Sequence, residues 1–363
     1  VNSLIENVIQ TEENKKENTY FPTITIEVHS TESWLSLDWQ RKNLAPLEVV
    51  EPEFSSDTDA FLFYEDAVVD PRIYTNAPIE KRFGLLTEPS AGRPFAAQSI
   101  SHVDKFRAIY THDPLLLSLH PNYRRNFFGT SWVFREEDVA AAPHKSKIIS
   151  IITSNLSRLE GHKLRLSICK KLYERQCGTD IFGRNIPWGP YITDRRNAIA
   201  PYLFTIAIEN CRRKNYFSEK LIDPLVTRTI PIYWGCPNIS EFLNTDGMII
   251  VKNESEFWRQ FKRVMADPVG MYKSYKDAAE ENCRLAVEKY NAKCAWGDVA
   301  AQIVNELKHE FNGSELSFAE NLKLRCVQQA FLTKEHSFNF SATPFIPQKL
   351  KPFIKGVTSR LRA

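Results

Sequence analysis

The stretch Tyr202–Asn244, YLFTIAIENCRRKNYFSEKLIDPLVTRTIPIYWGCPNISEFLN, constrains the fold of this chain more than any other. A mostly apolar run ends in an acid and an amide, a polar loop follows, Ser218 precedes Glu219-Lys220, and TIPIYWG is a second apolar run. Short apolar runs bounded by turn residues suit buried parallel strands, and a Ser-capped helix between two of them makes a βαβ unit. The loop crowds Glu209, Asn210, Arg212, Arg213, Lys214, Tyr216, Glu219 and Lys220 together. Polar groups at a strand end and a helix N-terminus suit an anionic ligand, because first-turn N–H groups are free and the helix dipole is positive there.

The same alternation recurs in both halves. FPTITIEVHS (Phe21–Ser30), LEVVE after Pro46, FLFYED (Phe61–Asp66), RFGLLTE (Arg82–Glu88) and FRAIYTHD (Phe106–Asp113) predict strands with helical material between them. DVAAAPHKSK (Asp138–Lys147) reads as a linker. Beyond it, KIISIITS (Lys147–Ser154) predicts a buried strand, and GHKLRLSICKKLYERQ (Gly161–Gln176) a helix with Leu164, Ile168 and Leu172 on one face. TDIFGRN is a strand and turn, MIIVKN (Met248–Asn253) a further strand, and Ser255–Phe311 is helical in pattern. The expectation is an α/β protein: a polar lead over 1–20, one α/β domain over 21–142, a second over 143–311, and a tail over 312–363, a division that 363 residues accommodate.

Composition narrows the function classes. A net charge of +3 is too small to argue for nucleic acid. The seven cysteines all lie in the second half without CxxC or Cys/His spacing, so no zinc site is expected, and the thiols read as buried and free by default, or as one or two disulfides in an oxidising compartment. Asp57-Thr58-Asp59 has the DxD form of a metal-nucleotide site but reads as a turn before a strand. No run approaches the roughly 18 apolar residues of a membrane span. The basic tail Pro347–Ala363, with Lys349, Lys351, Lys355, Arg360 and Arg362, reads either as a solvated terminus or as a peripheral contact with an anionic membrane. These features leave the location open between the cytoplasm or a membrane surface, which is the favoured expectation, and the Golgi lumen if an anchor precedes Val1. The Asn-x-Ser sequons at Asn155, Asn238, Asn253, Asn312 and Asn339 read as chance, since glycans on Asn155 or Asn238 would obstruct the anion site.

Two α/β domains leave a cleft between strand ends. Ser218 is expected to cap the helix starting at Glu219, which puts Lys220 in the first turn, where its ammonium reaches an anion on the helix end. Arg165, after the loop that starts at Ser154-Asn155, is a second candidate cation, because a guanidinium grips phosphate in a bidentate way. Glu219 fits either as an acceptor for sugar or ribose hydroxyls or as a solvated first-turn acid.

IEN (Ile208–Asn210), YFSEK (Tyr216–Lys220) and IPIYWGCPNI (Ile230–Ile239) together resemble the donor-binding signature of the α1,3-fucosyltransferases, glycosyltransferase family 10. Weaker similarity continues through KSKIISIITSNLSRLEGHKLRLSI, so the resemblance covers about Lys145 to Asn253. It implies a GT-B fold of two Rossmann-like domains facing a cleft. It also implies inverting transfer of fucose from GDP-fucose to a glycan hydroxyl, with no cofactor or catalytic metal. Asn210, Tyr216, Glu219 and Lys220 would contact the donor and Arg165 its diphosphate, with Ser154, Asn155, Glu209 and Ser218 alongside. LLTEPSAG (Leu85–Gly92) is similar to the family segment that carries an acid, which makes Glu88 the candidate general base and His112 and Asp113 the fallbacks. Ile208 stands where the family usually has Phe, Phe217-Ser218 replace Val-Thr, and Pro224 is expected to bend the helix or shift its start. The basic run Arg212-Arg213-Lys214 keeps another UDP- or GDP-hexose or pentose open as donor. A non-catalytic glycan-binding protein on the same scaffold is the rival from another class.

Overall fold

Each half of the chain builds one parallel sheet from its short apolar runs. The computed structural model describes residues 24–308 apart from 33–34, 45–46, 90, 128 and 291. The expected polar lead over 1–20, the tail over 312–363 with its basic run, Cys326, and the sequons at Asn312 and Asn339 lie outside the described residues.

The first sheet comprises β1 (Thr25–His29), β2 (Glu48–Val49), β3 (Ala60–Tyr64), β4 (Arg82–Leu86), β5 (Ala108–Thr111) and β6 (Tyr123–Arg125), in the order β2-β1-β3-β4-β5-β6. The second comprises β7 (Lys147–Ser154), β8 (Asp180–Arg184), β9 (Tyr202–Ile208), β10 (Ile230–Trp234) and β11 (Ile249–Ile250), in the order β11-β10-β9-β7-β8. Every pairing is parallel. Parallel sheets are covered on both faces, which is why β3 and β10 are buried at every position.

Four apolar clusters account for the packing. One face of the first sheet carries Phe61, Phe63 and Ile109 against Leu116 of the helix Pro114–Leu119. The other carries Ile26, Leu62, Phe83 and Tyr110 against Trp296, Val299, Ile303 and Val304. Those last four belong to the helix Ala292–Lys308, so this helix packs on the first sheet although it follows the second in sequence. The second sheet packs Ile149, Ile151, Phe204, Ile206 and Ile232 against the helices Glu160–Glu174 and Glu254–Ala266. A fourth cluster gathers Val133, Ile199, Phe217, Leu221, Leu225 and Tyr233 under the helix Glu219–Val226.

Several elements differ from expectation. LEVVE and MIIVKN shorten to two-residue edge strands, where only one neighbour supplies ladder bonds. β6 was not expected: Tyr123-Arg124-Arg125 has no apolar run, and pairing with β5 alone makes it a strand. The helical stretch after Ser255 breaks at Asp267, which caps the next helix at Pro268, because proline has no N–H for the preceding helix and fits a first turn. Of the two effects expected of Pro224, a shifted start does not occur: the helix begins at Glu219 directly after its Ser218 cap and ends two residues beyond the proline at Val226. Cys169, Cys177, Cys211, Cys236 and Cys283 are free thiols. Among the described residues, no helix is long and apolar enough to cross a membrane.

In the second sheet the connections reverse direction between β7 and β9. A crevice therefore opens outside the C-terminal ends of these two strands, where Ser154 and Glu209 emerge.

Candidate active site

Glu209 follows β9 directly, and its backbone N–H donates to Trp234 O across to β10 at 2.9 Å. Its side chain is fully buried, and its two oxygens accept from Ser218 N at 2.9 Å and Ser218 Oγ at 2.6 Å. Burial raises its pKa, while the Lys220 ammonium and the Ser218 hydrogen bonds oppose that rise. Ser218 in turn caps the helix Glu219–Val226, accepting from Lys220 N. Glu209 is therefore a brace that locks the strand end to the helix start.

Asn210 ties in the second helix. Its Oδ1 accepts from Arg165 Nη2 at 2.8 Å and His162 Nε2 at 3.0 Å, and its carbonyl accepts from Gly161 N at 3.0 Å. The approach is so close that a Cβ on Gly161 would stand 1.8 Å from Glu209 O, which only glycine permits. His162 Nδ1 accepts from Leu159 N, and burial followed by the Arg165 charge lowers its pKa, so the ring is neutral with its proton on Nε2.

Three cations converge here. Arg165, Arg195 and Lys220 line a cavity of about 20 Å³ together with Ile152, Thr205 and Ala207, room for about one water. Arg165 is 6 % exposed; burial lowers its pKa, opposed by Glu209 and Glu219. The Nε atoms of Arg165 and Arg195 are buried without a hydrogen-bond partner. Lys220 Nζ bonds Ser218 Oγ at 3.2 Å and Glu219 Oε1 at 3.0 Å, and Arg195 Nη2 lies 3.4 Å from the same carboxylate oxygen. Burial works against charge on Glu219, but Lys220 and Arg195 overcome it and hold its carboxyl at about 2. Asp223, one turn on, has Oδ1 bonded by Ser131 Oγ and Trp132 N, both at 2.8 Å, and Oδ2 without a hydrogen bond, 3.8 Å from Arg195 Nε. Burial pushes it up to about 6.

The first sheet faces this cluster with Glu88, half-buried just beyond β4. Burial raises the Glu88 pKa; Lys220 pulls it down and Glu219 pushes it up, so it senses both across the cleft. Tyr216 is buried, and its pKa is raised well above the ordinary value by burial and then by Glu88, Glu209 and Glu219. His112 lies 5.5 Å from the Tyr216 ring, donates from Nε2 to Thr87 O at 3.0 Å, and has a buried, unpartnered Nδ1. Its carbonyl accepts from Asn215 Nδ2 at 3.2 Å, a direct bond between the two halves. Asn215 takes φ 63°, a left-handed conformation that asparagine tolerates, and exchanges hydrogen bonds with the Asn238 side chain. Asp113 caps the helix Pro114–Leu119 with Oδ1 on Leu115 N.

The sequence-predicted residues Arg165, Glu209, Asn210, Ser218, Glu219 and Lys220 thus meet at one point, with Tyr216, His112 and Glu88 beside it. Ser154 ends β7; Asn155 is exposed, with its backbone N–H on Arg184 O, and neither shares a side-chain bond with the cation cluster among the described residues. Asp59 of the DxD binds Thr25 through its carboxylate, from N at 2.8 Å and Oγ1 at 3.0 Å, which fits the turn reading. Among the described residues no three His, Cys, Asp or Glu side chains group as metal ligands. Arg213 and Lys214 of the basic loop are exposed. Sequence reasoning missed Arg195, Asp223, His162, Gly161 and Glu65. The signal for His162 was its place three residues after Leu159 at a helix start; Arg195 starts a 3-10 helix only four residues long, too short for periodicity to mark it.

Comparison with known proteins bears on this arrangement. Residues 142–307 match the family model described as glycosyltransferase family 10 (fucosyltransferase) C-term. Among curated proteins, the chain is 30% identical over 69 residues to alpha-(1,3)-fucosyltransferase FucT of Helicobacter pylori, covering 19% of this chain and 14% of that one. It is 29% identical over 102 residues to the putative fucosyltransferase R654 of Acanthamoeba polyphaga mimivirus, covering 24% and 17%. It is 40% identical over 58 residues to GDP-fucose protein O-fucosyltransferase 3 of Danio rerio, covering 16% and 13%. The matched stretches thus span less than a fifth of each of these relatives. The fold is similar to that of a crystallised α1,3-fucosyltransferase with GDP, with a TM-score of 0.52 and 16% identity over 83% of this chain and 93% of that one. A structure of α1,3-fucosyltransferase with GDP-fucose gives 0.51 and 16%, over 86% and 98%. The two-sheet architecture shares the GT-B fold of these structures.

Proposed function

We propose that this chain, a glycosyltransferase family 10 member through residues 142–307, transfers fucose from GDP-fucose to a hydroxyl of a glycan acceptor with inversion and without a metal ion. The observation that carries the reading is the convergence of Arg165, Arg195 and Lys220 on the crevice between β7 and β9, opposite Glu88.

In this reading the donor's diphosphate rests against the two guanidinium groups, Lys220 and the positive ends of the two helix dipoles. As the bond from the sugar's anomeric carbon to the phosphate oxygen breaks, its electron pair leaves with GDP. The positive groups, fixed before reaction, stabilise that charge without reorganising. Glu88 takes the proton of the acceptor hydroxyl while the oxygen bonds the anomeric carbon from the opposite face. A base whose pKa is raised by burial is better matched to neutral pH than an ordinary carboxylate. Glu219, held ionised, is an acceptor for sugar or ribose hydroxyls, and the first sheet holds the glycan.

Thermal-shift titration with GDP, UDP and CMP tests the donor, and GDP release from GDP-fucose in EDTA tests metal independence. Stabilisation by GDP alone and undiminished turnover in EDTA are expected. A response to UDP alone would replace GDP-fucose with a UDP-sugar, and no response to any nucleotide would favour a non-catalytic glycan-binding protein.

A further inference from the structure

Glu65 follows β3 directly in a conformation that few residues other than glycine adopt, φ 51°, and is 1 % exposed. A non-glycine residue persists there only when its surroundings over-determine it. Those surroundings are the segment that carries Glu88. Glu65 Oε1 accepts from Thr87 N at 2.6 Å, Thr87 Oγ1 at 2.9 Å and Glu88 N at 2.9 Å. The Thr87 hydroxyl also pairs with Tyr64 OH at 2.8 Å, and the Thr87 carbonyl accepts from His112 Nε2. The peptide groups leaving β4 are thus held from the ends of both neighbouring strands, β3 and β5.

We propose that Glu65 is a positioning residue that fixes the Thr87–Glu88 backbone so that the Glu88 carboxylate faces Lys220 and the acceptor hydroxyl. The inference rests on the reading of Glu88 as general base. One oxygen receiving three donors needs a strong acceptor at full reach, which explains a carboxylate in a place that costs it solvation. Burial pushes its pKa up to about 7 against the hydrogen bonds from the Glu88 and Thr87 backbone. In the same network His112 holds the Thr87 carbonyl through its Nε2 proton and so supports the segment from β5.

The test measures GDP release from GDP-fucose with water as acceptor, alongside GDP affinity by calorimetry. Glu65→Ala is expected to lower kcat by about ten- to a hundredfold, the scale of a misplacement near 1 Å, with KM and GDP affinity within about twofold. Glu65→Gln keeps an acceptor oxygen at the same reach and is expected to recover most of that loss, whereas Glu65→Asp keeps the charge, falls short by one methylene, and does not. Wild-type kcat in Glu65→Ala, or Glu65→Asp more active than Glu65→Gln, would overturn the inference. If Glu65→Ala does not fold, the Asp and Gln pair decides. Undiminished GDP release in Glu88→Gln would remove the base reading and this inference with it. Loss in Glu88→Gln without loss in Glu65→Ala would sink this inference alone.

Discussion

Gly161→Ala is the smallest perturbation that tests how the site is assembled. The added methyl would sit 1.8 Å from Glu209 O, and 3.0 Å is the closest separation that real Cβ atoms show, so helix and strand end must part by roughly 1.2 Å. The three atoms it would meet, Glu209 O and the Asn210 carbonyl carbon and oxygen, are all backbone, so no side-chain rotation relieves the clash. The same displacement lengthens the bonds from Gly161 N, His162 Nε2 and Arg165 Nη2 to Asn210, now between 2.8 and 3.0 Å, to about 4 Å, beyond hydrogen-bond range. Two neutral bonds at about 1 kcal/mol and one charged bond at about 2 kcal/mol put the destabilisation near 4 kcal/mol, or less where the helix slides. The expected fall in Tm is about 5–15 °C. Arg165 moves with the helix, so GDP affinity should drop by about ten- to a hundredfold, as for one charged hydrogen bond. Differential scanning calorimetry and GDP titration check both numbers. The exposed neighbour Lys163→Ala is the control and should change stability by under about 0.5 kcal/mol. Unchanged Tm and GDP affinity in Gly161→Ala would refute the claim that this close approach builds the site.

Lys220→Ala should weaken GDP binding by about tenfold or more, since a charge-assisted contact to phosphate is worth about 1.5–3 kcal/mol; undiminished affinity by calorimetry would remove Lys220 from the donor site. Glu88→Gln should abolish most transfer while GDP still binds. In the wild type the acid limb of the kcat/KM profile should lie above the ordinary carboxylate range, because the base must be ionised and burial raises its pKa; a limb at or below pH 4.5 would contradict this. Asp223→Asn should raise stability at pH 8 by about 1–3 kcal/mol. The folded-state pKa of about 6 lies above the ordinary value of 3.8, so ionisation destabilises the fold progressively as pH rises through that window. A lower Tm of the variant at pH 8 would refute this. Glu219 has the opposite sign: its pKa, depressed from 4.5 to about 2, contributes stability present above pH 4.5 and lost as pH falls toward 2. Glu219→Gln should therefore flatten the acid side of a Tm-against-pH curve, and an unchanged curve would count against the Lys220–Glu219–Arg195 cluster.

The strands that sequence made legible are those buried on both faces. Phe61–Tyr64, Ile149–Thr153 and Ile230–Trp234 declare themselves as apolar runs because both sides of the sheet are covered. Ser218 and Lys220 were legible because a cap and a first turn are local features, settled by a few neighbouring residues. β6 was not legible, since Tyr123-Arg124-Arg125 is a strand only through β5, and neither was the return of the helix Ala292–Lys308 to the first sheet, which depends on which apolar face was left uncovered.

By itself the sequence determined the alternation of strands and helices, the capped helix start after Glu209-Asn210, and the placing of a cation in its first turn. Local periodicity and capping chemistry act over a few residues, so the chain spells them out directly. Only the tertiary structure decided that Arg195 completes the cation cluster, that Gly161 lets a helix touch a strand end, and that Glu65 holds the peptide of Glu88. Arg195 and Glu219 are 24 residues apart in the chain, and Glu65 and Glu88 are 23 apart. Strand order and crossover set such meetings, and neither leaves a mark on any one stretch of sequence.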